Sequence, residues 1–314
     1  MDVWQNEAIQ AASIIVAVVI LETLWQLPVK YHPLTIIRLL AQRLQKKVNH
    51  PSRGRSQNLI AGSLGVCALV LPLLIILSIS LQFVYFEWFF EGLILYIAVS
   101  SVDTKRQYAR VYKHLKNQNK ILARESLSSL VLRQPQQLTP LGCAKAAMES
   151  ITLRFYYQYT SVIFWFFIGG PIAALFVRLI NDFHTEWHNQ LPQFKTFGKP
   201  VAKLNTLLQW LPCLLHSFIF SLLYRPFKTL GHWFKYTGTS TRDLIIACTA
   251  NSMQCELGGP AMYNGIKVRF NRHCQSVEIK LGHMMQLRSY LRVLSVTVVV
   301  VYVLIAMAIY KTSI

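Results

Sequence analysis

Residues 153–181 read LRFYYQYTSVIFWFFIGGPIAALFVRLIN, with 23 uncharged residues between Arg154 and Arg178. At ~1.5 Å of rise per residue, a helix of that length covers the ~30 Å hydrocarbon core of a bilayer. Tyr156, Tyr157 and Tyr159 stand at its start, Trp165 within it, and Gly169-Gly170-Pro171 near its middle. Glycine and proline are tolerated in membrane helices because neighbouring groups re-satisfy the freed backbone. The stretch is expected to cross the membrane, either as a kinked lipid-facing span or as one whose bare backbone meets a partner helix or a ligand.

The rest of the chain agrees with a membrane setting. Of its 314 residues, 53% are hydrophobic and 14% charged, where soluble domains carry about 25% charged residues. A net charge of +19 would suggest nucleic acid in a soluble protein. Here no RNP-like, finger-like or aromatic-interleaved basic motif accompanies it, so no nucleic-acid partner is expected. The charge is expected on cytoplasmic loops facing anionic lipid. Cys67, Cys143, Cys213, Cys248, Cys255 and Cys274 form no C-x-x-C pair, and in a reducing compartment no disulfide is expected. The first apolar run has an acidic start (Asp2, Glu7) and no basic leader. It is expected to be a retained span rather than a cleaved signal.

Six spans are expected, at about residues 8–27, 59–81, 89–102, 153–181, 204–223 and 290–310, or five if the second and third do not both cross. Glu22 lies inside the first, where an ionisable group is a functional candidate or sits at the interface. Aromatic residues at 83, 85, 86, 88, 89 and 90 form an interfacial belt. Residues 30–57 carry seven Lys/Arg and no acid. Within them Leu34, Ile37, Leu40, Leu44 and Val48 recur near helical spacing, so an amphipathic surface helix is expected, started by His32-Pro33. Residues 103–153 are also basic and are expected to form two or three helices, one capped at Thr139-Pro140. Residues 225–288 hold nine Lys/Arg against three acids. Pro212 is expected to kink the fifth span.

The fold class is therefore all-α: a polytopic integral membrane protein, 1–314 as a single membrane domain, with amphipathic cytoplasmic helices. The basic regions 30–57, 103–153 and 225–288 are separated by even numbers of crossings, so all are placed in the cytoplasm. That arrangement puts 181–203, with Asp182 and Glu186, outside.

Few motifs carry chemistry. His184 and His188 share a helix face at i, i+4, but no third ligand and no HExxH order accompany them, so an interfacial cluster is expected and no metal site. Nucleotide-binding glycine motifs are absent. Leu257-Gly258-Gly259-Pro260-Ala261-Met262-Tyr263-Asn264-Gly265 is the distinctive cytoplasmic piece. It reads either as a turn closing a helix over 241–256, or as a tight loop whose exposed amides bind an anion or an amide-rich ligand.

Several of these pieces, in this order, resemble the CbiB/CobD family, the membrane-bound adenosylcobinamide-phosphate synthases of cobalamin biosynthesis. His32-Pro33 followed by Arg38-Leu39-Leu40 resembles the family's early motif. Ala147-Met148-Glu149-Ser150-Ile151 resembles its A-V-E-S/T-V segment, and Phe164 to Pro171 its phenylalanine-rich span ending in GG.P. Residues 174–181 resemble the approach to N-T-L-D-S, and Leu211-Pro212 the L-P of the next span. LGGPAMYNG matches L-G-G-P-x-x-Y-x-G, the most specific of the set. The resemblance covers roughly residues 1–310.

It implies a bacterial inner-membrane, multi-pass protein joining an aminopropanol phosphate linker to adenosylcobyric acid as an amide. It also implies ligand-binding roles for His32, Pro33, Arg38, Glu149, Gly169, Gly170, Asn181, Gly258, Gly259, Pro260, Tyr263 and Gly265. ATP and magnesium follow only if that activity is retained, and a corrinoid is the implied small-molecule partner. The family's acids are replaced here. The places after A-V-E-S-V read Thr152, Leu153, Arg154, Tyr157 and Gln158. The aspartate of N-T-L-D-S falls at His184, and the paired aspartates of A-R-x-D-D fall at Asn205 and Thr206. Thr239, Ser240, Thr241 and Ile246 stand for S-P-N…E. The run from Arg154 to Gly170 also resembles AmpE, an inner-membrane protein without that acid set. A non-catalytic sensor or partner-binding protein, alone or as a homo-oligomer, is the alternative. A transporter is disfavoured, because Glu22 and Arg178 alone are too few for an ion path.

Overall fold

A computed structural model describes residues 6–25, 32–50, 54–99, 101–235, 240–274 and 277–312. Lys30, Arg53, Asp2, Thr239 and the end of the first expected span at Leu27 lie outside them. The described residues are almost wholly helical, with two short β-pairs. They divide into two compact units. One comprises segments 1–100, 157–209 and 299–314, the other 101–156 and 210–298.

The first unit starts with α1, Glu7–Leu24, capped by Asn6, whose Oδ1 accepts from the amides of Ala8 and Ile9 at 3.1 and 3.3 Å. Helix α2, Pro33–Val48, starts as its sequence requires: Pro33 needs no amide partner at the first helical position, and His32 caps it through Nδ1. Leu34 and Ala41 are buried, with Ile37, Leu44 and Val48 packed beside them, while Leu40 is exposed. The core stripe is thus 34-37-41-44-48. Alanine, too small to stand out as apolar, takes the place expected of Leu40. Helices α3, Arg55–Gln82, and α4, Glu87–Val99, follow. At the core, Trp187 lies edge-on to Phe183 and Phe197, with ring centroids 5.0 and 4.8 Å away, and its indole donates to the Ala41 carbonyl.

The opening stretch is not a straight crossing. Helix α8, Ser161–Glu186, follows a π-helical turn at Tyr156–Thr160 and breaks at Gly169 and Gly170. Gly170 has φ +67° and ψ −165°, a region open only to glycine. The chain doubles back there, so that Arg178 Nη1 reaches the carbonyl of Gln158 at 3.2 Å. A straight helix would separate those two residues by ~30 Å. The stretch is therefore a hairpin of two limbs with both ends at the same level.

This hairpin overturns the sidedness expected for 181–203. Arg38 of α2 pairs with Asp182 at 3.2 Å, Gln42 with Glu186 at 2.9 Å, and Asn49 with the Gln193 carbonyl at 3.0 Å. Residues 32–50 and 181–197 therefore share one end of the unit, and Asp182 and Glu186 cannot lie across a membrane from Arg38. The parity count failed because two glycines turned one apparent crossing into an entry and a return.

Helix α9, Lys199–Leu223, runs on through Pro212. A proline withdraws the hydrogen bond to the carbonyl four residues earlier. That carbonyl, on Leu208, instead accepts the indole N–H of Trp165 at 2.9 Å.

In the second unit, residues 103–153 form α5, Val102–Lys116, α6, Lys120–Ser128, and α7, Pro140–Phe155. Thr139 caps α7, accepting from Gly142 N at 3.1 Å. Alanines 144, 146 and 147 with Cys143 bury the close-packed face of α7, and Tyr108, Val111 and Leu115 of α5 and Leu127 of α6 join the same core. Helices α10, Pro226–Phe234, α11, Thr241–Met253, and α12, Leu281–Thr312, complete the series. Among the described residues five helical runs are long and apolar enough to cross a bilayer, the broken run Pro140–Glu186 being one. The fold is that of an all-α polytopic membrane protein. The expected third span is the 13-residue α4.

Candidate functional site

The structure sorts the candidate residues into two groups, one in each unit.

In the second unit, the glycine-rich stretch is a miniature β structure. β1, Leu257–Gly258, pairs antiparallel with β4, Arg272–His273, and β2, Ala261–Tyr263, pairs with β3, Ile266–Val268. Asn264 and Gly265, with φ of +44° and +83°, make the two-residue turn between β2 and β3. An Asn-Gly dipeptide between short apolar runs is the strongest local hairpin signal, and the structure realises it as a hairpin where a loop or helix-closing turn is expected. Of the two readings offered for 257–265, neither the plain turn nor the loop of exposed amides holds. Gly258 N donates to Glu149 Oε1 at 2.9 Å, Gly259 N donates to the Asn271 carbonyl at 3.1 Å, and Pro260 has no amide hydrogen. The LGGP amides are consumed inside the fold.

Glu149 is the anchor. It sits on α7, buried, with Oε2 3.3 Å from Arg133 Nη2 and 3.6 Å from Arg242 Nη2. Arg242, in the first turn of α11, also lies over the Phe270 ring at 3.7 Å. Gln134 N donates to the Met262 carbonyl at 3.0 Å, tying the loop before α7 to the hairpin. Tyr263 stands in this field: burial pushes its phenol above the usual range, while Arg242 and Arg133 pull it back. Lys145 pairs with Glu256 at 2.7 Å, and that hydrogen bond holds the Glu256 carboxyl below the usual carboxylate range. Arg133 and Arg242 escaped the sequence reading because each was one base among many. Only the fold sets them on one buried carboxylate.

In the first unit, Arg38, Arg178 and Asp182 form a buried network. Arg38 Nη2 approaches both Asp182 oxygens at 3.2 Å, and Arg178 Nε lies 3.4 Å from the same carboxylate. Arg178 Nη1 also donates to the carbonyls of Ala98 and Gln158 at 3.1 and 3.2 Å. His32 lies within electrostatic reach of all three. Burial holds its imidazole down at about 4, reinforced by Arg178 and Arg38 and opposed by Asp182. Asn181 is buried beside Asp182. Gly169 and Gly170 are at the hairpin tip, about twelve residues or ~18 Å of helix from Asp182, so the structure does not bring them to His32, Arg38 and Asn181. Pro33 is exposed at the start of α2.

The positions where the resemblance expects acids hold structural roles instead. Arg154 donates to Thr104 Oγ1 and to the carbonyls of Ser129 and Leu130, and the Gln158 carbonyl receives Arg178. The His184 and His188 rings stack at 4.9 Å. Glu22 is buried in α1.

The matched family is described as CobD/Cbib protein, and its model matches residues 14–288. A "Cobalamin biosynthesis protein CobD" from Stutzerimonas stutzeri is 27% identical over 256 residues, covering 80% of this chain and 83% of the relative. One of the same name from Leptospira interrogans is 27% identical over 264 residues, 80% of each chain. Another, from Chromobacterium violaceum, is 24% identical over 244 residues, covering 76% and 78%. No solved structure matches. The breadth of the family match, from within α1 into α12, makes this chain a member of the CobD/CbiB family.

Proposed function

We propose that this chain is a cobalamin biosynthesis protein that binds adenosylcobyric acid at the 257–273 hairpin and attaches the aminopropanol phosphate linker to it as an amide. The observation that carries this reading is the Glu149–Gly258 hydrogen bond at 2.9 Å. It joins the two pieces with the clearest family resemblance, Ala147–Ile151 and LGGPAMYNG, which are 109 residues apart in sequence. A buried carboxylate held by two guanidiniums and one amide is a rigid mount. It presents Tyr263 and the hairpin edge to an amide-rich ligand. Glu149 itself positions the hairpin and is not free to act as a base.

ATP and magnesium do not fit the acids that are present. Glu149 is engaged by Arg133 and Arg242, Glu256 by Lys145, and Asp243 by Asn271 at 3.0 Å. Among the described residues no three His, Cys, Asp or Glu side chains are grouped to hold a metal ion. The same fact, with Arg154 and Gln158 in structural roles, favours a second reading: a non-catalytic, AmpE-like partner-binding protein on the same scaffold.

Complementation separates the two. The chain is expressed in a bacterium lacking its own adenosylcobinamide-phosphate synthase and supplied with adenosylcobyric acid. Cobalamin-dependent growth, lost in Gly259→Leu, supports the enzyme. Absence of growth with the protein present in the membrane supports the second reading.

A further inference from the structure

The first unit buries three polar side chains on the contact between α8 and α9. Ser161 Oγ, Asn205 Oδ1 and Gln209 Oε1 have no hydrogen-bond partner among the described residues, in residues 0%, 5% and 1% exposed. A buried polar atom left unpaired is costly, and such atoms mark a missing partner group. Two hydrogen bonds bring the three together. Gln209 Nε2 donates to the Tyr157 carbonyl at 3.3 Å, and Trp165 Nε1 donates to the Leu208 carbonyl at 2.9 Å. Tyr157, Ser161 and Trp165 stand at i, i+4 and i+8, so Ser161 lies between the two residues that meet α9. The Tyr157 carbonyl points along the helix toward Ser161, and the Trp165 side chain leans back toward it. Asn205 and Gln209 share one face of α9, one turn apart, with ~5–6 Å between their Cβ atoms. The bond to Tyr157 fixes which end of the Gln209 amide is the acceptor. The π-helical turn Tyr156–Thr160 leads directly into Ser161, and such turns recur at functional sites.

The three groups define the chemistry of their partner. Two are amide oxygens that need a donor, and the third is a hydroxyl that can donate. An anion would face the two acceptor oxygens. A divalent cation is best held by carboxylates, and none is among them. Arg178, bonded to the carbonyl of the neighbouring Gln158, also repels a cation.

We propose that Ser161, Asn205 and Gln209 form a binding site for the primary carboxamide of a small molecule. The two N–H groups of a carboxamide reach acceptors ~5 Å apart, the spacing of Asn205 Oδ1 and Gln209 Oε1 on successive turns. Its carbonyl oxygen accepts the Ser161 hydroxyl. Asn205, the most exposed of the three, is the rim. The carboxamide belongs to a free aliphatic amide or to a corrinoid side chain, since the chemistry is shared. The site lies in the first unit and stands whether or not the 257–273 hairpin binds a corrinoid.

The test is ligand-observed saturation-transfer NMR on the full chain in neutral detergent, titrated with propionamide. N,N-Dimethylpropionamide and propionate, which lack N–H donors, are the controls. The site predicts saturable binding of propionamide and of neither control. Ser161→Ala and Asn205→Leu should each weaken it by about tenfold, the scale of one buried hydrogen bond. Thr206→Ala, on the exposed face of α9, should leave it unchanged. Displacement of propionamide by adenosylcobyric acid assigns the group to a corrinoid, and saturable binding without displacement assigns a free amide. Propionamide binding in a chain that fails complementation separates this site from the enzymatic reading. Equal binding of the dimethyl analogue, or unchanged affinity in Asn205→Leu protein that remains folded and monodisperse, overturns the site. No propionamide binding to the folded wild-type chain also overturns it and leaves the three groups to ordered water.

Discussion

Arg178 Nη1 donates to the carbonyl oxygen of Gln158 at 3.2 Å, across twenty residues that would otherwise form one rod. That bond closes the hairpin of the central apolar stretch. It also places a buried guanidinium beside Asp182 and Arg38 at the hairpin's base. The consequences can be measured.

The first concerns sidedness. In a cysteine-free background, single cysteines at Asn49 and His188 should react with a membrane-impermeant maleimide from the same side of sealed vesicles. Reaction from opposite sides would restore the straight crossing and remove the hairpin.

The hairpin tip should be intolerant of a side chain for conformational reasons alone. A Cβ on Gly170 meets nothing within 4 Å, so crowding is not the obstacle. The obstacle is the φ of +67° with ψ near −165°, a region open only to glycine. Gly170→Ala should destabilise the protein by about 1–3 kcal/mol, read as a lower melting midpoint. Ala173→Gly, beside the turn, should not reproduce so large a loss.

Glu149→Gln should loosen the small β structure. The amide can still accept from Gly258, but Arg133 and Arg242 lose their counter-charge. A cost on the order of 1–3 kcal/mol is expected, because both guanidiniums keep some access to water. Hydrogen exchange should accelerate at Gly258 and across 261–268 while α12 stays protected. Uniform acceleration everywhere would mean that Glu149 supports the whole unit rather than the hairpin.

His32 should make the protein acid-sensitive. Its folded value of about 4 lies below the ~6.5 of an unfolded histidine. Between those values the unfolded chain binds the proton and the folded one does not, so stability falls with pH in that window and is intact above it. His32→Gln should flatten the dependence of the melting midpoint between pH 6.5 and 4. An unchanged slope would assign the acid sensitivity to other groups.

Trp187 is fully buried among Phe183, Phe197 and the α2 backbone. Trp187→Ala should cost about 3–5 kcal/mol and should release α2 before it affects α7 or α11, as followed by exchange in each segment.

Composition and local pattern by themselves determined that the chain is helical, that it belongs to a membrane, and where α2, α7 and α11 begin. Those properties depend on hydrophobicity and on capping chemistry within a few residues. Pro33 after His32, Pro140 after Thr139 and Ser240 before Thr241 all carry their instructions locally. The hairpin at Gly169-Gly170 is not legible in the sequence, where the stretch reads as a crossing. Two glycines permit a reversal, but Arg178 reaching Gln158 and Ala98 selects it, and those partners lie 20 and 80 residues away. The side on which Asp182 lies followed from that choice and could not be counted from charges. Likewise Arg133, Glu149, Arg242 and Gly258 become one site only when α7, α11 and the hairpin pack together. Arg133 and Arg242 are unremarkable in sequence, because the energy of a buried charge depends on what the fold places within 3–4 Å of it.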